Sequence, residues 1–381
     1  MRHLMILPLL LSLAAPAQAG EPGYFDLKAA PETLVADYVD GEGLEKLAGI
    51  KRVVVPQFRI EFQMRAESTG SNNSAYVNLK GVDNATLQRL TDQAYAAFVN
   101  DMTARGVEVI GPDRLAGVAE YEPVLRVGKA SGETLETKDS ISRFFAPSGG
   151  RVYQLLRRTD KDRQGFGSGF ATAFSDMQKE IPKAELALAK QYDAPSLKVL
   201  LTVSPARVKA GAKGGGGLVG AAVLALSSAK VRPGLAVTEE SRLVFRSAGH
   251  SANDFKMFGG SRFFGKKVRD FSEEGDSALF LKQDVRVAEA ISQKDMEDTT
   301  SGYNKVSNVL APVMALTLGV SGGKHSEYTI EADPALFEQV AGAEIQAASR
   351  MLVSRFRQAA DGIKAGSADT QAALPEPAPS F

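Results

Sequence analysis

The sequence has no cysteine and no tryptophan among its 381 residues. Without cysteine there is no disulfide, no thiolate metal ligand and no cysteine nucleophile. The lipid-modified cysteine that anchors an outer-membrane lipoprotein is excluded for the same reason. Histidine is nearly as scarce, at three residues, and His250 and His325 lie far apart. No His-based metal centre is expected from two isolated imidazoles. An excess of charge is also missing, since 45 Lys and Arg balance 45 Asp and Glu. That balance points to neither nucleic acid nor an anionic membrane surface. Beyond the first residues, no apolar run reaches the roughly 18 residues that mark a transmembrane helix. No repeat of about 40 residues recurs, which excludes a propeller or solenoid.

Residues 1–19 have the form of a signal peptide. Arg2 and His3 give a basic start, Leu4 to Leu13 an apolar core, and Ala17-Gln18-Ala19 a small-x-small cleavage site. Losing Arg2 with this leader leaves 44 basic against 45 acidic residues. Oxidising compartments permit disulfides but do not require them in a chain of about 360 residues, which can bury a large core. A cysteine-free chain behind such a leader is expected in a bacterial periplasm, exported and not a lipoprotein.

The stretch from Ile50 to Leu115 organises the rest. Val53-Val54-Val55 passes through Pro56 into alternation, with Phe58, Ile60, Phe62 and Met64 on one face and Gln57, Arg59, Glu61 and Gln63 on the other. This is the pattern of a half-buried strand. Arg65 to Val82, rich in Ser and Asn, reads as an exposed loop or a hairpin extension. A helix is predicted over 84–105, capped by Asp83 or Asn84. Leu87, Leu90, Ala94, Ala97, Phe98 and Met102 form its apolar stripe, Gln88 faces away, and Gly106 ends it. Val107 to Ile110 is the next strand. The fold class expected is α/β, a mixed β-sheet packed with helices around a strand–helix–strand core with a long C-terminal helix.

Residues 20–115 therefore form the first half of the core with its lead-in. Residues 116–181 are an irregular insertion, in which a basic cluster (Arg157, Arg158, Lys161, Arg163) precedes Gly165-Phe166-Gly167-Ser168-Gly169 and a short helix from Phe170 to Glu180. Residues 182–365 are the second half. Pro182 opens a helix to Gln191, and Leu197, Val199, Leu201 and Val203 alternate as a strand. Leu235–Thr238 and Arg242–Arg246 suit a further strand pair. Asp333-Pro334 caps and starts the final helix, whose stripe runs from Phe337 to Ala359. Residues 366–381 are Ala-, Pro- and Ser-rich and read as a disordered tail.

The run Lys51-Arg52-Val53-Val54-Val55-Pro56-Gln57-Phe58, a helix ending near Gly106, and Val107-Glu108-Val109-Ile110-Gly111-Pro112-Asp113-Arg114 resemble the curli secretion channel family and the TolB amino-terminal domain. Ala184 to Val203 looks like their next helix–strand unit. The resemblance covers about half the mature chain, in pieces. It implies a domain that serves envelope assembly or protein contacts rather than catalysis. The lipobox cysteine of the first family and the propeller of TolB are both missing, so neither anchoring nor that second domain carries over.

Few residues suggest chemistry. Gly260-Ser261-Arg262-Phe263-Phe264-Gly265-Lys266 has the Gly and Lys spacing of a phosphate loop, but Lys267 stands where a hydroxyl must hold magnesium. Gly165 to Gly169 lacks the third glycine of a dinucleotide fingerprint and the first of a lipase elbow, Phe occupying both places. Glu239-Glu240, Glu273-Glu274 and Asp295 with Glu297 and Asp298 read as solvated acids, at no calcium-loop spacing. No catalytic residue, cofactor or metal is expected, and the chain is not read as an enzyme. The segment 255–271 stands out: five Phe and five basic side chains among several glycines. Its Phe258, Arg262, Phe263, Phe264, Lys266 and Lys267 are the candidate partner-binding residues, because aromatic and Arg side chains anchor interfaces. The functional expectation is a periplasmic assembly or accessory protein acting through protein–protein contacts with an envelope partner. The alternative is a subunit of an oligomeric secretion pore, with the Gly/Ala-rich apolar stretches 214–230 and 305–323 contacting membrane. Amino-terminal sequencing of the exported protein should begin at or near Gly20; retention of Met1 in the cytoplasm would remove the periplasmic reading.

Overall fold

The structure, a computed structural model, describes residues 24–69, 74–136, 140–153, 170–209, 230–249, 275–301, 304 and 325–362. The architecture is α/β. Thirteen strands make one mixed sheet: β1 (Val39–Glu42), β2 (Arg52–Thr69), β3 (Ser74–Lys80), β4 (Glu108–Ile110), β5 (Glu133–Glu136), β6 (Ile141–Phe145), β7 (Ser196–Lys209), β8 (Lys230–Val237), β9 (Arg242–Arg246), β10 (Ser277–Leu281), β11 (Val285–Arg286), β12 (Glu297–Asp298) and β13 (His325–Glu331). The helices are α1 (Val35–Tyr38), α2 (Asn84–Ala104), α3 (Pro112–Leu115), α4 (Glu122–Val127), α5 (Phe170–Gln191) and α6 (Pro334–Ala360). The main line of the sheet is β1-β10-β9-β7-β2-β3-β13-β12, and β4, β5–β6 and β8–β11 attach beside it.

β2 is the centre. It runs parallel to β4 and β7 and antiparallel to β3 and β6. Arg65 pairs with both Asn78 of β3 and Ile141 of β6, so those strands lie on opposite edges of β2. Against β7, Val54 faces Ser196 and Gln57 faces Lys198, so three steps on β2 match two on β7. The extra residue is a bulge at Pro56, the place in a strand where a residue without an N–H is tolerated. The bulge shifts the parity of the side chains. Val53 and Val55 before it, and Phe58, Ile60 and Phe62 after it, all enter the same core.

That larger core lies between one sheet face and the pair α2 and α6. Leu87, Leu90 and Phe98 of α2 and Phe337, Ile345, Leu352 and Phe356 of α6 fill it. α2 starts where Asp83 accepts the Thr86 N–H at 2.8 Å. It stops where Gly106 takes φ 76°, a conformation costly for residues with a Cβ. α6 is capped by Asp333, which accepts from Ala335 and Leu336. A second core on the opposite face joins Val54, Ile110, Tyr121, Tyr153, Ile181 and Leu188.

Three expectations change. The polar side of β2 is not solvated: Gln57, Arg59 and Glu61 are all within 2% of complete burial, so the strand is buried on both faces. Pro182 does not open a helix but lies inside α5. The apolar stripe of Ile181, Ala184 and Leu188 continues across it, so packing holds the helix together where proline removes a bond. Gln88 is half-buried rather than free in solvent, since it donates to the Ala146 carbonyl at 2.9 Å. The polar stretch after Arg65 is the β2–β3 hairpin, paired from Arg65↔Asn78 to Thr69↔Ser74. Within 116–181, β6 pairs directly with β2. The leader, the tail, the basic cluster, Gly165–Gly169, the stretches 214–229 and 305–323, and Glu273-Glu274 lie outside the described residues.

Phe98 is fully buried with its ring 5.7 Å from that of Phe58. Phe98→Ala should lower stability by about 3–5 kcal/mol in urea unfolding. Gln93→Ala, on the exposed side of α2, should cost less than about 0.5 kcal/mol.

Candidate interaction site

The β7 alternation that sends Leu197, Val199, Leu201 and Val203 into the large core aims Ser196, Lys198, Thr202 and Ser204 at the other face. There they meet the polar row of β2 and the carboxylate of Glu185, from α5. Lys198 Nζ lies 3.4 Å from Glu185 Oε1, and Arg246 Nε of β9 lies 3.2 Å from Oε2. The Tyr153 hydroxyl donates to Oε1 at 3.2 Å. Burial, reinforced by the adjacent carboxylate, pushes the Tyr153 pKa well up, so the phenol remains a donor. Gln57 donates to the Tyr153 carbonyl. Further along, Glu61 accepts from Ser142 at 2.8 Å, and Arg59 lies over the Phe144 ring at 5.1 Å.

This layer holds acid, base and hydroxyl groups, yet it is closed. Glu185 is fully buried, and Tyr153, Arg246 and Lys198 are each no more than 4% exposed. Its groups tie α5 to the sheet and are out of a substrate's reach. A hydroxyl–imidazole contact elsewhere, Ser74 Oγ to His325 Nδ1 at 2.7 Å, follows from the direct pairing of those residues on β3 and β13. Ser74 is 3% exposed, whereas His325 is exposed.

The open chemistry lies at the base of the segment singled out by sequence. Phe258, Arg262, Phe263, Phe264, Lys266 and Lys267 fall outside the described residues, but the strands that carry them do not. β9 and β10 are antiparallel neighbours, with Phe245 opposite Ser277. Immediately beyond that pair the two chains are clamped. The Ser247 N–H donates to the Asp276 carboxylate at 3.2 Å, its hydroxyl donates to the same group, and the Asp276 N–H donates to the Phe245 carbonyl at 2.9 Å. A Cβ on Gly275 would stand 2.2 Å from that carbonyl, so only glycine lets the chains approach so closely.

Beside the clamp is an open cleft of about 180 Å³. Leu47, Ile50, Pro195 and Phe245 give it an apolar floor, and Lys46, Asp193, Asp276 and Ser277 give it a polar rim. The Lys46 ammonium donates to the Asp276 carbonyl at 3.3 Å. Asp193 sits at φ 46°, the one positive-φ residue other than glycine among the described residues. The cleft thus pairs an apolar floor with a polar rim. No spacing in the sequence marks the cleft. Its walls come from four separate parts of the chain, and Gly275 is the only local trace of them.

The acidic clusters do not converge. Glu239 and Glu240 occupy the turn between β8 and β9, while Glu297 and Asp298 form the exposed β12. No group of three potential metal ligands occurs among the described residues. No helix among them is long and apolar enough to cross a membrane. Comparison with known proteins finds no matching family, no matching curated protein and no matching solved structure.

Glu185→Gln should destabilise the fold by about 1–3 kcal/mol in urea titration, because it removes the carboxylate that Lys198 and Arg246 share. Arg114→Ala, which breaks an exposed pair with Glu108 at 2.8 Å, should cost no more than about 1 kcal/mol.

Proposed function

We propose that this protein is a periplasmic, non-enzymatic assembly or accessory factor that works through contacts with another envelope protein, centred on the segment joining β9 and β10. One observation carries the reading. Paired strands of this kind need a turn of about 2–5 residues. Here 30 residues separate Arg246 from Ser277, with the clamp and the cleft at their base. The surplus chain is not required to close the strand pair. It holds a density of Phe and Arg that suits a binding surface. The burial of the Glu185 cluster also favours contact over catalysis.

A second reading rests on β7 and β8. They stay paired as far as Lys209↔Lys230, so the 20 residues 210–229 are carried between the outer ends of a two-stranded ribbon. A membrane-spanning β-strand needs about 9–11 residues. The intervening chain has the length for two such strands, as a pore subunit would supply.

A photo-crosslinker placed at position 263 and activated in cells should give a discrete adduct with a second envelope protein. Arg262→Ala and Phe263→Ala should weaken that complex while leaving the melting temperature of the isolated protein nearly unchanged. A large melting loss for Phe263→Ala with unchanged partner binding would overturn the contact reading. Detergent-dependent assembly on a sizing column, lost on deleting 214–226, would favour the pore.

A further inference from the structure

The helix α6 carries an acid that the proposed contacts do not use. Glu344 lies in the middle of the helix and is fully buried. Its Oε1 accepts the Val287 N–H at 3.0 Å, and its Oε2 has no hydrogen-bond partner among the described residues. Val287 follows the two-residue strand β11, so a side chain takes over its N–H where the strand pairing stops. Two bonds follow further along: Ile291 accepts from the Asp333 N–H at 2.9 Å, and the Ser292 hydroxyl donates to the Glu331 carbonyl at 2.6 Å. Val287 and Ile291 are both buried against the large core.

Three charged groups act on the carboxyl from the chain packed over it. The Val287 N–H and Arg286 on β11 favour ionisation, whereas Glu289 and Asp284 oppose it, all less strongly than burial does. Arg286 itself donates to the Gly234 carbonyl and lies 3.4 Å from Asp284, so its charge is shared. Burial is the dominant influence and holds the Glu344 pKa well above the ordinary carboxyl value of 4.5. A neutral acid can remain in the apolar layer, but an anion there would lack the pairing that offsets its desolvation.

We infer that Glu344 is a protonation latch, which as a neutral acid holds residues 287–291 on α6 and releases them when it ionises. The sign follows from linkage. The latched state binds the proton more tightly than the released state. Latching is therefore complete at low pH and weakens as pH rises from the ordinary carboxyl range through the folded-state pKa. In that window the released population grows about tenfold per pH unit for one proton.

The test is amide exchange of peptides covering 285–291 against peptides covering 197–203, with protection corrected for the intrinsic pH dependence of exchange. In the wild-type protein, protection at 285–291 should fall about tenfold per pH unit above the carboxyl range, while 197–203 stays protected. Glu344→Gln keeps a neutral acceptor and should hold 285–291 at every pH. Glu344→Ala should lower protection there to a level that no longer changes with pH. The infrared band of a protonated carboxyl should be present in the wild type and missing from Glu344→Gln. Identical pH profiles for the wild type and Glu344→Gln would overturn the latch. So would an equal loss at 197–203, which would show global unfolding instead of local release.

Discussion

One extra residue in β2 decides how this chain can fold. Before Pro56 the odd-numbered valines face the large core, and after it the even-numbered aromatic and aliphatic residues do. An unbroken strand would send Val55 and Phe58 to opposite faces. The bulge reconciles the two runs and leaves Val54 for the second core. α2 and α6 can then lie on one side and α5 on the other. The register of β7 against β2 is set by the same irregularity, since the pairing shifts between Val54 and Gln57.

The second face is the more demanding one, because β2, β7 and β9 deliver charge to it. Two cations and one carboxylate meet under α5, with a phenol as further donor. Burying such a group adds little net stability over an apolar packing, but losing one member is costly. The arrangement therefore acts chiefly as a constraint on position. If α5 shifts along the sheet, Glu185 leaves both cations at once. Tyr121 supports the same face from the other side: its hydroxyl donates to the Pro56 carbonyl at 3.2 Å, and burial raises its pKa to about 12.

Legibility in the sequence followed the distance over which each feature is determined. α2 was readable from Asp83, its stripe and Gly106, all local signals. The same holds for α6, with Asp333 and Pro334, and for the alternation of β7. The burial of Gln57, Arg59 and Glu61 was not readable, since the covering groups come from β6, Tyr153 and α5. Pro182 misled because proline is a local signal for a helix start, while the stripe from Ile181 to Leu188 that overrides it draws on tertiary packing. At the candidate site the aromatic-basic segment was visible as composition. The Ser247–Asp276 clamp and the cleft depend on Lys46, Asp193 and Phe245 coming together, which no spacing announces.

The parallel pairing of β2 with β7 also sets an order of events. Residues 54–62 wait for residues 196–203, with β3, β4 and β6 all available earlier in the chain. A chain emerging from its amino terminus therefore presents β2 with β4 and β6 at the two ends of one edge and the other edge bare over that span. Closing it needs a loop of more than one hundred residues, which slows folding through the entropy of closure. During that interval the richest β-forming stretch of the protein is a template for any extended strand nearby. Folding must bring β7 to it before a neighbouring chain does.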